Sequence, residues 1–323
     1  MRLSAKQTVD MLRAAGEPTR LRILALLERE ELAVLELCRV LDQSQPRVSR
    51  HLKLLAEAGL VERFPDGAWV FYRLTGAGRQ REVIGEVLGH INPDDPILAR
   101  DRRKLDDVQA ERADAAQAYF AENAAQWDQI RSLYVADAQV EAEVLRIAGR
   151  ARVGRLVDLG SGTGRMLTLL GPQADQAVGL DLSQQMLNIA RRNVTAAGLT
   201  NVELRHGDIF DTRLPEGAAD LVVVHQVLHY LGDPAAAVKE AARVVAPGGK
   251  LIIVDFAPHK LEFLREEHQH RRLGFSDEEM ARWLAEAELP TVDLQALPPT
   301  RADGLTVKIW AAQRAPTALR SAA

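Results

Sequence analysis

The sequence predicts an α/β protein in two folded parts: an N-terminal winged helix-turn-helix, mostly helical with one β-hairpin, and a C-terminal doubly wound, Rossmann-like sheet. Three observations predict it. A chain of 323 residues is longer than one hydrophobic core usually organises. Residues 18–74 read as short amphipathic helices followed by two β-favouring runs around an Asp-Gly pair. Residues 155–256 alternate apolar strands with helices, and the first of those strands runs into a glycine-rich turn. The expected boundaries are 1–92 for the first part, 93–149 for a helical linker and 150–315 for the second.

Composition narrows the class. Hydrophobic residues at 47% and charged residues at 27% are those of a globular protein, which excludes disordered, low-complexity and collagen-like chains. Apolar runs such as LVVV (221–224) and LIIV (251–254) fall far short of the ~20 residues of a membrane span, so no membrane partner is expected. Arg2 and Lys6 are not followed by an apolar stretch and a small-residue cleavage site, and the single cysteine, Cys38, has no internal disulfide partner. A cytoplasmic protein is expected. The net charge of −4 is spread unevenly, with residues 1–90 net basic and the remainder net acidic. Within 44–81, Arg47, Arg50, Lys53, Arg63, Arg73, Arg79 and Arg81 face only Glu57, Glu62 and Asp66, which suggests an anionic partner there.

From Pro18 to Leu27, Leu21, Ile23, Leu24, Leu26 and Leu27 recur at helical spacing, with Pro18 suited to a first turn. A second helix covers about Val34–Leu41. Ser44 then serves as an N-cap for a helix over about Gln45–Ala58, closed by Gly59. Val48, Leu52 and Leu55 share one face of this helix, while Arg47, Arg50 and His51 cluster opposite, flanked by Ser49 and Lys53. VERF and WVFYRL, joined through Pro65-Asp66-Gly67, form a hairpin whose arms carry Arg63 and Arg73. This order is a winged helix-turn-helix, a device that sets a helix in the major groove and a hairpin along the backbone. Ser44, Gln45, Arg47, Ser49, Arg50, His51, Lys53, Arg63 and Arg73 are the expected contacts to double-stranded DNA.

The run ELAVLELCRVLDQSQPRVSRHLKLLAEAGLVERFPDGAWVFYRL (31–74) resembles the ArsR/SmtB family of bacterial repressors, with DQSQPRVSRHLKLL matching the recognition-helix segment. The resemblance implies a homodimer on palindromic operator DNA, paired through first and last helices at about Ser4–Ala15 and Gly78–Leu88. Arsenic-sensing members carry three thiolates in the helix before the recognition helix. Here Ala33 and Leu35 replace two of them, so soft-metal sensing at this place is not expected and Cys38 reads as a small buried hydrophobe. Glu82, Glu86 and His90 on the last helix read as exposed charges, and no metal site is expected.

INPDDP (91–96) breaks the chain, and 97–131 then read as a long helix with Leu98, Leu105 and Val108 along a narrow apolar seam. That seam packs either on its own domain or across a dimer. Tyr119, Phe120, Trp127 and Tyr134 form an aromatic cluster in a chain that is only 5% aromatic. The cluster either lids a ligand pocket or docks the linker.

In the second part, RLVDLG (155–160) runs into Gly160-Ser161-Gly162-Thr163-Gly164 and a helix at about Arg165–Leu170. Glycines there let backbone approach a ligand closely. The next strand ends in Asp181, where an acidic side chain accepts ribose hydroxyls. Further strands end at Gly207-Asp208-Ile209, at His225 and at Phe256, and TVDLQAL and LTVKIWAAQ add two late antiparallel strands.

VDLGSGTG, GLDLS, HGD and the HQVLHYLGDP run together resemble class I S-adenosylmethionine-dependent methyltransferases of small-molecule type, across about 150–315. The resemblance implies S-adenosylmethionine or S-adenosylhomocysteine as the bound cofactor. By matching position, Asp158, Gly160, Ser161 and Gly162 surround its methionine moiety, Asp181 takes the ribose, and Leu182, Asp208 and Ile209 take the adenine. His225 and Gln226 face the sulfonium side. His229, in the loop after the fourth strand, is the candidate catalytic base or substrate contact. EEHQHRR (266–272) reads as surface helix charge.

Two readings lead. In the first, the chain is a transcription regulator whose second domain binds the adenosyl compound as effector. In the second, it is a working methyltransferase of a small-molecule acceptor that also regulates its own operon. A DNA domain that merely localises an enzyme is a third. HQVL stands where amino-group methylases of DNA or protein place NPPY, and the second domain has no cysteine for arsenite methylation.

Overall fold

A computed structural model describes residues 3–76, 78–127, 137–299 and 304–316 of the protein. They divide into two units, 1–114 and 115–323, so the segment expected as a linker, 93–149, is shared between them.

The first unit opens with α1 (Ala5–Ala15), held at its start by a capping box in which the Gln7 N–H donates to Ser4 Oγ and the Ser4 N–H to Gln7 Oε1. Then come α2 (Pro18–Leu27), β1 (Leu32–Ala33), α3 (Val34–Leu41) and α4 (Gln45–Glu57). The hairpin β2 (Val61–Asp66) and β3 (Trp69–Leu74) joins β1 in a three-stranded antiparallel sheet of order β1-β3-β2. Asp66 pairs with Trp69, so the turn is Gly67-Ala68 and Pro65-Asp66 belongs to the strand. The pairing selects the turn residue: Gly67 adopts φ 59°, which a side chain disfavours. Next are α5 (Arg79–Gly89) and α6 (Pro96–Asn123), whose residues up to 114 belong to this unit.

Ile23, Leu24, Leu37, Val40, Val48, Leu52 and Leu55 form its core, all fully buried, and Leu105 and Val108 of α6 join them. The apolar seam of α6 thus packs on its own domain. Charge fixes it further. Asp101 accepts from both Arg22 Nε and Nη2, at 2.5 and 2.7 Å, and Arg112 donates to Glu36 at 2.6 Å and Glu30 at 3.0 Å. Asp101, Glu30 and Glu36 are buried, so losing Arg22 would take from Asp101 its bidentate partner and losing Arg112 would take a cation from both glutamates.

The second unit is built on seven strands: β4 (Val153–Leu159), β5 (Ala174–Asp181), β6 (Val202–His206), β7 (Ala219–His225), β8 (Val245–Phe256), β9 (Thr291–Leu297) and β10 (Val307–Gln313). Their order is β6-β5-β4-β7-β8-β10-β9, with β10 antiparallel to both neighbours and the other pairs parallel. Helices α7 (Asp137–Ala148), α8 (Arg165–Leu170), α9 (Gln184–Ala196), α10 (Pro234–Val244), α11 (Phe263–His268) and α12 (Asp277–Glu286) accompany them. Strand alternation divides the core. Val157, Leu159, Val222, Val224, Leu251 and Ile253 face α10 and α12, while Leu156, Leu221, Val223, Ile252 and Val254 face α7, α8 and α9. The order in which strands are added reverses at β4: the chain goes outward through β5 and β6 on one side, then returns to β7 and β8 on the other, all parallel. Such a switch point opens a crevice at the carboxyl ends of the strands.

Candidate functional site

On α4, Val48, Leu52 and Leu55 face inward with no exposure. The opposite face presents Gln45, Arg47, Arg50 and Lys53, all exposed, with Ser49 half-buried. Ser44 occupies the N-cap position, but its hydroxyl makes no capping bond; its carbonyl oxygen accepts from Arg47 N–H and Val48 N–H at 3.0 and 3.1 Å.

Two residues expected on this DNA face stand elsewhere. His51 turns toward Glu17, with Nδ1 3.5 Å from the carboxylate and the side chain only 14% exposed. Desolvation lowers its pKa, partly offset by Glu17. Arg73 is bound at its guanidinium by Glu31 at 3.1 Å and Glu62 at 3.0 Å, and lies 4.8 Å over the Phe64 ring. It secures the base of the hairpin, whereas Arg63 is exposed. Cys38 is half-buried against the first core, and burial raises its thiol pKa.

At the carboxyl end of β4 the chain turns through Gly160, Gly162 and Gly164, with φ of 72°, 51° and 81°. All three lie in the left-handed region that favours glycine. Gly160 N–H and Ser161 N–H both donate to the Leu180 carbonyl, at 2.8 and 2.9 Å, and Gly162 N–H donates to Asp181 Oδ2 at 2.7 Å. The loop is thereby bound to the end of β5. The other oxygen of Asp181 accepts from Ser183 N–H at 2.8 Å. A carboxylate offers about four lone-pair positions, so two remain for hydroxyls. Burial raises the Asp181 pKa, against those two hydrogen bonds.

Asp158, one residue inside β4, is 1% exposed, and neither carboxylate oxygen has a hydrogen-bond partner. Burial, reinforced by the nearby Asp181 charge, pushes its pKa up to about 8. Ser161 Oγ and Gln226 Nε2 are likewise buried without partners. A buried carboxylate without a donor is costly unless a cation or donor arrives. The residues present therefore fit a ligand with an ammonium group and hydroxyls, which adenosylmethionine and adenosylhomocysteine both carry.

Leu182 is 39% exposed and Ile209 8%. His206 Nε2 lies 2.9 Å from the Leu182 carbonyl oxygen, and Asp208 is exposed, its Oδ1 accepting from Phe210 N–H. His225 ends β7 half-buried. Trp127 Nε1 stands 3.8 Å from where a Cβ on Gly162 would lie. Phe120 packs on Trp127 and on Tyr230, at centroid distances of 5.2 and 4.8 Å. Of the aromatic cluster, Trp127 thus stands beside the glycine loop at Gly162, and Phe120 packs behind it; Tyr134 lies outside the described residues.

His229 is 2% exposed, and its Nδ1 is 2.7 Å from Oδ1 of the fully buried Asp255. Its ring lies 4.1 Å from Tyr230, 4.2 Å from His270 and 5.0 Å from Phe256, centroid to centroid. Its carbonyl oxygen accepts from Arg271 N–H and Arg272 N–H. The reading of 266–272 as surface charge is therefore corrected. Helix α11 ends at His268, and His270, Arg271 and Arg272 are 7%, 8% and 3% exposed because they fold under His229. Burial and the neighbouring histidines hold His270 neutral, its pKa far below the ordinary range. Sequence reasoning missed Asp255 and set His270 aside with the surface charge of 266–272. The signal for Asp255 was a carboxylate closing the apolar run LIIVDF at a strand's carboxyl end. Among the described residues, no group of three or more His, Cys, Asp or Glu side chains is placed to hold a metal ion, and no helix is long and apolar enough to cross a membrane.

Residues 17–63 match the family of bacterial regulatory proteins, arsR family, and residues 157–253 match a methyltransferase domain. The arsenical resistance operon repressor of Escherichia coli (strain K12) is 48% identical over 68 residues, which are 21% of this chain and 58% of that protein. The demethylmenaquinone methyltransferase of Thermus thermophilus is 34% identical over 143 residues, 43% of this chain and 64% of that protein. The chain thus spans less than two thirds of either relative. Among solved structures, a chain in the complex of the Haloferax volcanii Trm112 methyltransferase activator with a methyltransferase superposes with a TM-score of 0.51 at 19% identity, covering 61% of this chain and 97% of that one. This likeness shows the fold.

Proposed function

From a chain that joins an arsR-type DNA-binding domain to a methyltransferase domain of class I fold, we propose a transcription regulator that binds operator DNA as a homodimer and takes an adenosyl compound as effector. The observation that carries the ligand assignment is Asp158: a buried carboxylate with two unpartnered oxygens beneath a glycine loop. The ammonium of adenosylmethionine or adenosylhomocysteine answers it. Asp181 holds the ribose with its remaining lone pairs, Leu182, Asp208 and Ile209 border the adenine, and His225 and Gln226 face the sulfur. When bound, adenosylmethionine supplies an activated methyl group and a positive sulfur that adenosylhomocysteine lacks.

Packing around His229 favours the effector reading over catalysis. His229 is only 2% exposed, closed in by the Tyr230, His270 and Phe256 rings. Binding beneath Trp127 shifts this cluster, and DNA affinity changes only to the extent that the ligand favours one arrangement of the chain. The second reading, methyl transfer to a small acceptor, is favoured by one observation: Asp255 holds the His229 imidazole in a single orientation, as a general base requires. An electrophoretic mobility shift titrated separately with the two adenosyl compounds tests the proposal. A ligand-dependent change in operator affinity supports the effector role; equal affinity throughout, with ligand bound, removes it and leaves catalysis.

A further inference from the structure

His51 belongs to neither face of α4. Val48, Leu52 and Leu55 point into the core, and Arg47 and Arg50 are exposed. The His51 side chain lies between them, 14% exposed, against the start of α2. Polar groups gather there. Glu17, the N-cap of α2, accepts from Arg20 N–H at 2.9 Å with the same oxygen that stands 3.5 Å from His51 Nδ1. Gln43, in the turn before α4, donates from Nε2 to Thr19 Oγ1 at 3.4 Å, while its Oε1 is buried without a partner. His51 Nδ1 is likewise buried and makes no hydrogen bond across its distance to Glu17.

A carboxylate and a spare amide oxygen beside this ring suit an imidazolium, whose Nδ1–H would close on Glu17 as a charge-assisted bond. The charged groups facing the ring are Glu17 and Arg20 from the start of α2, and Arg47 and Arg50 from α4 itself. In the chain alone, burial and the three arginines outweigh Glu17 and lower the His51 pKa from its ordinary 6.5. Arg20 is committed to the Ala14 and Arg13 carbonyl oxygens at the end of α1. Arg47 and Arg50 instead face solvent, where the phosphates of a duplex neutralise such cations. Docking would thus remove two of the charges that oppose the proton and leave Glu17 in place.

We infer that the chain takes up a proton at His51 when a DNA duplex docks on α4, closing the His51–Glu17 pair in the bound state. The inference rests on the DNA-binding reading of the first domain. It makes His51 a positioning residue that ties α4 to the start of α2, in place of a contact to bases or phosphates. A group whose pKa is higher in the complex strengthens binding fully below its pKa in the unbound chain, and that gain is lost as pH rises through its pKa in the complex. Affinity should therefore rise as pH falls from about 8 to about 5.5, by up to about tenfold for each unit that docking raises the His51 pKa.

The test is titration of the full chain onto a fluorescein-labelled duplex of mixed sequence, at fixed salt, across that pH range. His51→Gln should bind with an affinity nearly independent of pH. Glu17→Gln keeps a polar cap on α2 but removes the charge that favours the proton, and should shrink the dependence. Melting curves at each pH establish that both variants are folded. Calorimetric titration of the wild type in two buffers of different ionisation enthalpy should show a fraction of a proton taken up per bound chain near about pH 6.5, without recourse to any variant. Wild-type affinity that does not change with pH, binding without proton uptake, or a pH dependence that persists in full in His51→Gln would each overturn the inference. A wild-type chain that binds no duplex at any pH would instead overturn the DNA-binding reading itself.

Discussion

The Gly162 amide donates to Asp181 Oδ2 across 2.7 Å, so the glycine loop and the end of β5 are one construction. Asp181 therefore shapes the backbone as well as offering acceptors to a ligand. Asp181→Ala should lose adenosylhomocysteine binding by at least about tenfold and also destabilise the second unit by about 1–3 kcal/mol, as two backbone donors lose their acceptor. Calorimetric titration and thermal unfolding of the same variant check both effects. Intact stability with lost binding would confine Asp181 to ligand contact.

Asp158 gives a pH prediction. Folding raises its pKa from 3.8 to about 8. Its relative stabilisation of the fold is thus full below pH 3.8 and lost as pH rises through about 8. Asp158→Asn should flatten this dependence, gaining melting temperature over the wild type toward the alkaline end. Binding of the ammonium-bearing ligand should release a proton at neutral pH in the wild type and none in the variant. Calorimetry in two buffers of different ionisation enthalpy reads that difference.

Gly160 sits at φ 72°, and a Cβ there would meet Val227 Cγ2 at 2.5 Å. Gly160→Ala should cost about 1–3 kcal/mol of stability, from backbone strain together with collision. Adding Val227→Ala should relieve the collision and leave the strain. Thermal melts of the single and double variants separate the two contributions.

Arg50 and Arg73 should part company. Arg50 is exposed on α4, and Arg50→Ala or Arg47→Ala should weaken operator binding substantially while leaving ligand affinity unchanged. Arg73→Ala should chiefly lower the melting temperature, because Glu31 and Glu62 lose their shared partner and Phe64 its cation. Binding curves at matched fractions folded make the comparison.

His229 discriminates between the two readings of the second domain. His229→Gln should blunt the ligand-dependent change in DNA affinity if that domain is a sensor, because it removes a ring packed on Tyr230 and His270. Loss of methyl transfer to an added acceptor in the same variant, with that response absent in the wild type, would assign catalysis instead.

Local periodicity made much of this protein legible. The apolar face of α4, the Gly160–Gly164 turn and the alternation of strands and helices depend on neighbours a few residues apart, and the sequence alone determined them. The acidic strand end at Asp181 was visible for the same reason. Other features depend on which distant segments meet, and only the tertiary structure decided them. Arg73 reads as a free cation until Glu31 and Glu62 are brought to it. The charged run 266–272 reads as surface until its last residues fold beneath His229. The seam of α6 fits a partner's surface or its own domain equally well until Asp101 meets Arg22 and Arg112 meets Glu30 and Glu36. Asp158 reads as one more strand carboxylate until burial leaves both of its oxygens without a donor. Pairing and desolvation are properties of the packed chain, because their energies are set by distance and surroundings in space and not by order along the backbone.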